Sequence, residues 1–129
     1  MTRFSGGCHC GAVRFEVELA ESASALECNC SICAMCGFLH LIAPQSRFQL
    51  TAGQDSISEY RFNSGQARHY FCKVCGIKPY YIPRSNPDGV SVNLRCLDNP
   101  PPDIGIEPFD GQNWEQNAAS LRHLSESED

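Results

Sequence analysis

The stretch "GGCHCGAVRFEVEL", residues 6–19, carries two kinds of information side by side. From Val13 onward apolar and charged residues alternate, with Val13, Phe15, Val17 and Leu19 on one face and Arg14, Glu16 and Glu18 on the other. A period of two is that of a half-buried β-strand. Just upstream, Cys8 and Cys10 are one residue apart, so in an extended chain both thiols point to one side and His9 is turned away. The stretch therefore predicts a strand with a pair of metal-type ligands at its start.

Working outward, the same alternation recurs in "GVSVNLRCL" (89–97), with Val90, Val92, Leu94 and Cys96 on the inner side. Further strands are predicted at "FLHLIA" (38–43), "RFQLT" (47–51), "SEYRF" (58–62) and "ARHYF" (67–71), separated by turn-forming runs such as "AGQD", "NSGQ" and "SNPDG". One segment reads as a helix, "NWEQNAASLRHL" (113–124), in which Trp114 anchors the terminal segment to the core. The preceding "NPPPDIGIEPFDG" reads as a proline-stiffened excursion, and the tail "SESED" is expected to fray. Short strands at regular spacing predict a mainly β fold with a short C-terminal helix. At 129 residues, with no repeat and no linker, the chain is expected to be one domain.

Composition narrows the function. The formal net charge is −5 and the basic residues are scattered, which argues against nucleic acid or an anionic membrane as a partner. No apolar run approaches the ~18 residues of a membrane span, and the first residues, "MTRFSGGCHC", lack an export signal. A cytoplasmic location is expected. Thiols there stay reduced, and nine cysteines are in any case one too many for a fully bridged scheme.

The spacing of those cysteines points to metal. A Cys-x-x-Cys followed by Gly forms a tight knuckle with converging sulfurs, and "CKVCG" (72–76) has that form, Gly76 supplying the backbone freedom the turn requires. One pair makes a poor site, but Cys8 and Cys10 joined to Cys72 and Cys75 complete a four-thiolate tetrahedron. A second cluster lies in "CNCSICAMC" (28–36). Three readings fit it: a closed site made by Cys28, Cys30, Cys33 and Cys36; a site of Cys28, Cys30 and Cys33 with one open position; or a metal-free redox group. The redox form normally opens a helix in a βαβ setting, and nothing near residue 30 reads that way. Cys96 is expected to pack as a small hydrophobe.

The segments "GGCHCGAVRFEV", "CNCSIC", "FCKVCG" and "VNLRCLD" resemble, in order and spacing, the glutathione-dependent formaldehyde-activating enzyme family, and "FCKVCGIKPYYIPRSNPDG" with "FDGQNWEQ" resembles its centromere protein V-like branch. The resemblance spans about residues 5–120. It implies an Mss4-like, zinc-containing β fold with two zinc ions per chain. Cys8, Cys10, Cys72 and Cys75 would hold a structural zinc, and Cys28, Cys30 and Cys33 a catalytic zinc with an open position. The implied activity is that of a carbon–sulfur lyase on a small thiol–aldehyde adduct such as S-hydroxymethylglutathione, with glutathione as the candidate thiol. The alternative is a noncatalytic zinc-stabilised binding module with both sites structural. His40, His69 and Asp98 are the candidate proton-transfer groups. After the third cysteine, family members often carry basic residues, where this chain has "AMCG" (34–37).

Overall fold

In the computed structural model, which describes residues 2–20, 23–62, 64–101 and 103–125, the strands form two sheets. A three-stranded antiparallel sheet has the order β1 (Thr2–Gly7), β2 (Arg14–Leu19) and β5 (Phe48–Ala52). The larger sheet contains β3 (Ala25–Cys28), β4 (Leu39–Pro44), β6 (Ile57–Tyr60), β7 (Arg68–Cys72), β8 (Tyr80–Ile82), β9 (Gly89–Asn93) and β10 (Ile106–Phe109). Its order is β10-β3-β4-β9-β8-β7-β6, antiparallel except for the β10–β3 pair. The mainly β expectation holds.

The alternation in β2 does what its pattern requires. Val13, Phe15, Val17 and Leu19 are buried in one core with Leu39, Leu41 and Ala43 of β4 and Val90 and Val92 of β9, so the small sheet packs on one face of the large one. Burying a side chain such as Phe15 or Val17 contributes about 1.5–3 kcal/mol. Phe15 also stacks on Phe48 of β5, with ring centroids 5.5 Å apart.

The central strands are covered on both faces, and this positions the site. Leu41, Val90 and Val92 look into the core, so their neighbours His40, Ser91 and Asn93 look the other way. Cross-strand register carries that second face outward: Ile42 is opposite Ser91, Ser91 opposite Tyr81, and Tyr81 opposite His69. A row of one aliphatic side chain, one hydroxyl and two rings thus crosses four adjacent strands opposite the core, with His40 on the same face of β4 as Ile42.

Several expectations are corrected. Cys8 and Cys10 do not continue a strand; β1 stops at Gly7 and they sit in the turn before β2, with Cys8 N donating to Val13 O at 3.1 Å. The strand expected over 89–97 ends at Asn93, whose side-chain oxygen accepts from Arg95 N and starts a 3₁₀ turn over Leu94–Cys96. Cys96 still packs against the core. A short helix, α1 (Ser31–Cys36), follows Cys30 and is closed by Gly37 in the left-handed region. β3 and β4, which flank it, are antiparallel, so the setting is not a βαβ unit. The supposed proline excursion contains β10. The C-terminal helix is a single α turn, α2 (Trp114–Asn117), continued as 3₁₀ helix over Ala118–Ser125. Ser125, expected to fray, is buried and donates to Asp88 Oδ1 at 2.6 Å, whereas residues 126–129 lie outside the described residues.

Candidate functional site

The first cysteine group joins the two sheets. The sulfurs of Cys8, Cys10, Cys72 and Cys75 lie within 4.8 Å of one another. Each pair ends in a glycine with positive φ, 83° at Gly11 and 80° at Gly76, a conformation that costs a residue with a Cβ. In the second knuckle Gly76 N donates to Cys72 O at 2.8 Å and Val74 N to Cys72 Sγ at 3.4 Å. Backbone N–H groups of Ile77 and Cys10 push the Cys75 thiol down to about 6. The group is formed as spacing predicted, although Cys8 and Cys10 converge from a turn.

The second group is Cys28, Cys30 and Cys33, again with sulfurs within 4.8 Å; Cys36 is exposed at the end of α1 and does not join it. Cys28 ends β3, Cys30 caps α1 and Cys33 is one turn on, so the strand-to-helix bend folds three thiols toward one point. Hydrogen bonds from Cys28 and Cys33 hold Cys30 far below the ordinary thiol range, while Cys28 and then Cys30 push Cys33 up. Without a cation the three sulfurs share charge unequally; a soft divalent ion would let all three ionise. The donor set fits such an ion.

A strap crosses this group. Asn29, between the first two cysteines, accepts from Gln112 N at 2.9 Å through its side chain and from Gln112 Nε2 at 3.2 Å through its carbonyl. Asn29 Nδ2 also donates to Asp110 Oδ1 at 3.1 Å. Gly111 lies directly over the cluster, where an added Cβ would collide with Cys28 Sγ.

On its open side the group faces a cavity of about 390 Å³, lined by Cys28, Cys30 and Cys33 together with His40, His69 and Tyr81. His69 and Tyr81 belong to the row described above, and His40 lies on the same face of the sheet. His40 is 3% exposed, and burial first, then Lys78, pushes it down to about 3, so it is neutral. Its Nε2 lies 3.1 Å from Cys33 Sγ and its Nδ1 3.1 Å from Ser91 Oγ. With Cys33 ionised as a metal ligand, its sulfur could only accept, which would place the proton on Nε2 and make Ser91 the donor to Nδ1. His69 is likewise pushed down, to about 4, by burial and then by Lys78. Lys78 Nζ donates to His69 Nδ1 at 2.6 Å, so this ring too carries its proton on Nε2.

Lys78 is a buried cation that the sequence did not single out. Its Nζ lies 4.3 Å from the Tyr81 ring centroid and 4.9 Å from that of Phe38. Ring faces stabilise a desolvated ammonium by roughly 2 kcal/mol. Burial lowers its basicity, while charge on Cys33, Cys36 and Cys30 opposes that shift. It therefore supplies from β8's side of the sheet the positive charge missing from "AMCG". Tyr81, stacked on His69 at 4.8 Å, is held protonated by burial and by Cys33, Cys28 and Cys30. Its hydroxyl has no hydrogen-bond partner among the described residues.

Asp98, the third candidate for proton transfer, is elsewhere: it forms an ion pair with Arg14, including an Nη1–Oδ1 bond of 3.1 Å, beside the N-terminal sheet. Trp114 is half-buried in the cavity wall rather than serving only as a core anchor.

Residues 3–115 match the glutathione-dependent formaldehyde-activating enzyme family. The chain belongs to that family. A crystal structure of a Rhodobacter sphaeroides protein is similar to it, with a TM-score of 0.73 and 39% identity over 81% of this chain and 97% of that one. In this chain both cysteine groups are formed and could hold metal ions. Among the described residues no helix is long and apolar enough to cross a membrane.

Proposed function

We propose that the chain is a zinc-dependent carbon–sulfur lyase-type enzyme acting on a small thiol–aldehyde adduct of the S-hydroxymethylglutathione kind. The observation that carries this reading is the convergence of Cys28, Cys30 and Cys33 at the wall of a cavity, with no further ligand atom joining them among the described residues. The second group thus has the open form of a catalytic site, and the first has the closed form of a structural zinc site. When bound, zinc would act as a Lewis acid favouring the thiolate form of a substrate sulfur.

The chain's own residues account for the rest of the reaction. In cleavage the adduct's carbon–sulfur bond breaks, sulfur keeps the electron pair, and the hydroxyl oxygen loses its proton to solvent as it becomes the aldehyde oxygen. Negative charge on that oxygen needs a donor that is itself not ionised. The Tyr81 hydroxyl meets this requirement, because burial, and then the cysteine charge beside it, oppose its ionisation. His40 is not a free base: it orients Cys33 through Nε2–H and is fixed in turn by Ser91. His69 keeps Tyr81 in place by stacking.

The test is cobalt substitution. With Co²⁺ in both groups, reduced glutathione should change the thiolate-to-cobalt absorption of one ion of the two; silence at both would overturn the open-site reading. Tyr81→Phe should lower adduct turnover by about 10²–10³-fold with unchanged metal content. Unchanged turnover would remove Tyr81 from the mechanism.

A further inference from the structure

Among the described residues lining the cavity there is no carboxylate and, apart from the neutral histidines, one basic side chain, Arg84. It is unusually well braced for a surface residue. Its loop is closed by Asn86 N donating to Pro83 O at 3.2 Å and Gly89 N to Asn86 O at 3.0 Å. Asn86 is fully buried, and its Nδ2 donates to Leu121 O at 2.8 Å and Ser125 Oγ at 2.9 Å, locking the loop to the C-terminal 3₁₀ helix. The Arg84 guanidinium carbon then lies over Trp114, 3.9 Å from the ring centroid, with Nε donating to Gln66 Oε1 at 3.1 Å.

One of its remaining nitrogens, Nη2, meets Glu115 Oε1 at 2.9 Å; Nη1 has no hydrogen-bond partner among the described residues. The pair is lopsided. The Arg84 side chain is 31% exposed and that of Glu115 78% exposed, so one half is fixed by its surroundings and the other hangs in solvent. An exposed pair contributes at most about 1 kcal/mol. A carboxylate that engages Nη1 and Nη2 together gains the stronger two-point geometry.

We propose that Arg84 is a carboxylate anchor at the cavity wall, that Glu115 occupies it in the free protein, and that an incoming substrate carboxylate takes Glu115's place. The cavity would then select carboxylate-bearing thiols over neutral thiols of the same shape. This specificity rests on the thiol-adduct reading above but uses none of its metal chemistry. A chain with net charge −5 repels an acidic ligand on average, so a fixed local cation is what lets one in.

The experiment measures binding to the metal-loaded chain by calorimetry. The probes are S-methylglutathione, whose sulfur is capped, and its dimethyl ester, whose carboxylates are neutralised. The native chain should prefer the free acid by about tenfold or more. Arg84→Gln should abolish that preference, and Glu115→Gln should tighten the free acid several-fold while leaving the ester unchanged. Equal affinities for the two probes, failure of both to bind, a preference that survives Arg84→Gln, or indifference to Glu115→Gln would each overturn the anchor. Turnover of the uncapped adduct is scored separately. An acid preference without turnover leaves the anchor and removes the lyase, and turnover without acid preference does the reverse.

Discussion

Two groups of sulfurs in one small chain are built for opposite ends. The first takes its ligands from two distant turns, needs a positive-φ glycine after each pair, and sits between the sheets with Cys8 and Cys72 buried. The second takes all three ligands from one strand-to-helix bend and turns its free side to a cavity walled by neutral rings, one of which, Tyr81, is backed by the buried ammonium of Lys78. The donor atoms are the same. What differs is how many the backbone brings and what stands opposite the missing one. A four-thiolate shell leaves nothing for a ligand to do, whereas a three-thiolate shell leaves a place that neighbouring groups must manage.

The comparison breaks most visibly by removing one ligand from each group. Cys75→Ser opens the link between the sheets; structural zinc binding is of order 10–16 kcal/mol, as large as a domain's whole stability of about 5–15 kcal/mol. That variant should fail to give a cooperative thermal transition. Cys30→Ser should keep the fold, as circular dichroism reads it, and lose one of two metal equivalents together with adduct turnover. If both variants unfold alike, the division into structural and functional groups is wrong.

A finer cut is Gly111→Ala. The added methyl meets Cys28 Sγ, so metal analysis should show loss at the second group alone while thermal stability, set by the first, changes by no more than about 1–3 kcal/mol. Retention of both metals would mean that the strap yields.

The smallest effect expected is in acid. His69 is pushed down to about 4 by burial and then by Lys78. Its folded value is below the unfolded one of about 6.5, so the unfolded chain binds the extra proton between these limits. Stability from this group is full above pH ~6.5 and is lost as pH falls toward ~4. Unfolding titrations across that window should show a slope that His69→Phe reduces; an equal slope in both proteins would place the acid sensitivity elsewhere.

Much of this was readable from residue order. The alternation in "VRFEVEL" and "GVSV" identified strands because one face of each meets a dry core; the first cysteine group followed from spacing, whereas for the second spacing left open whether Cys36 joins Cys28, Cys30 and Cys33. Other elements had no such local signature. α1 is one and a half turns with no apolar stripe, defined by its Gly37 cap and by cysteines that converge in space. β10 contains Pro108, which an edge strand tolerates because one of its sides has no partner. His40 did leave a trace: with Ser91 it occupies the off-core parity of a strand buried on both faces, where polar groups must find partners. Lys78 and Arg84 left none, since each acquires its role from rings and carbonyls contributed by other parts of the chain.

The first group also sets an order of events during synthesis. Cys10 and Cys72 are 62 residues apart, and a ribosome delivers them in that sequence. For that interval the early pair offers only half a coordination sphere, although β5, the strand that pairs with β2, has already been made. An ion held by this group would close the long loop only once the later knuckle has emerged, which would make its capture a late, chain-spanning step rather than a seed around which folding begins.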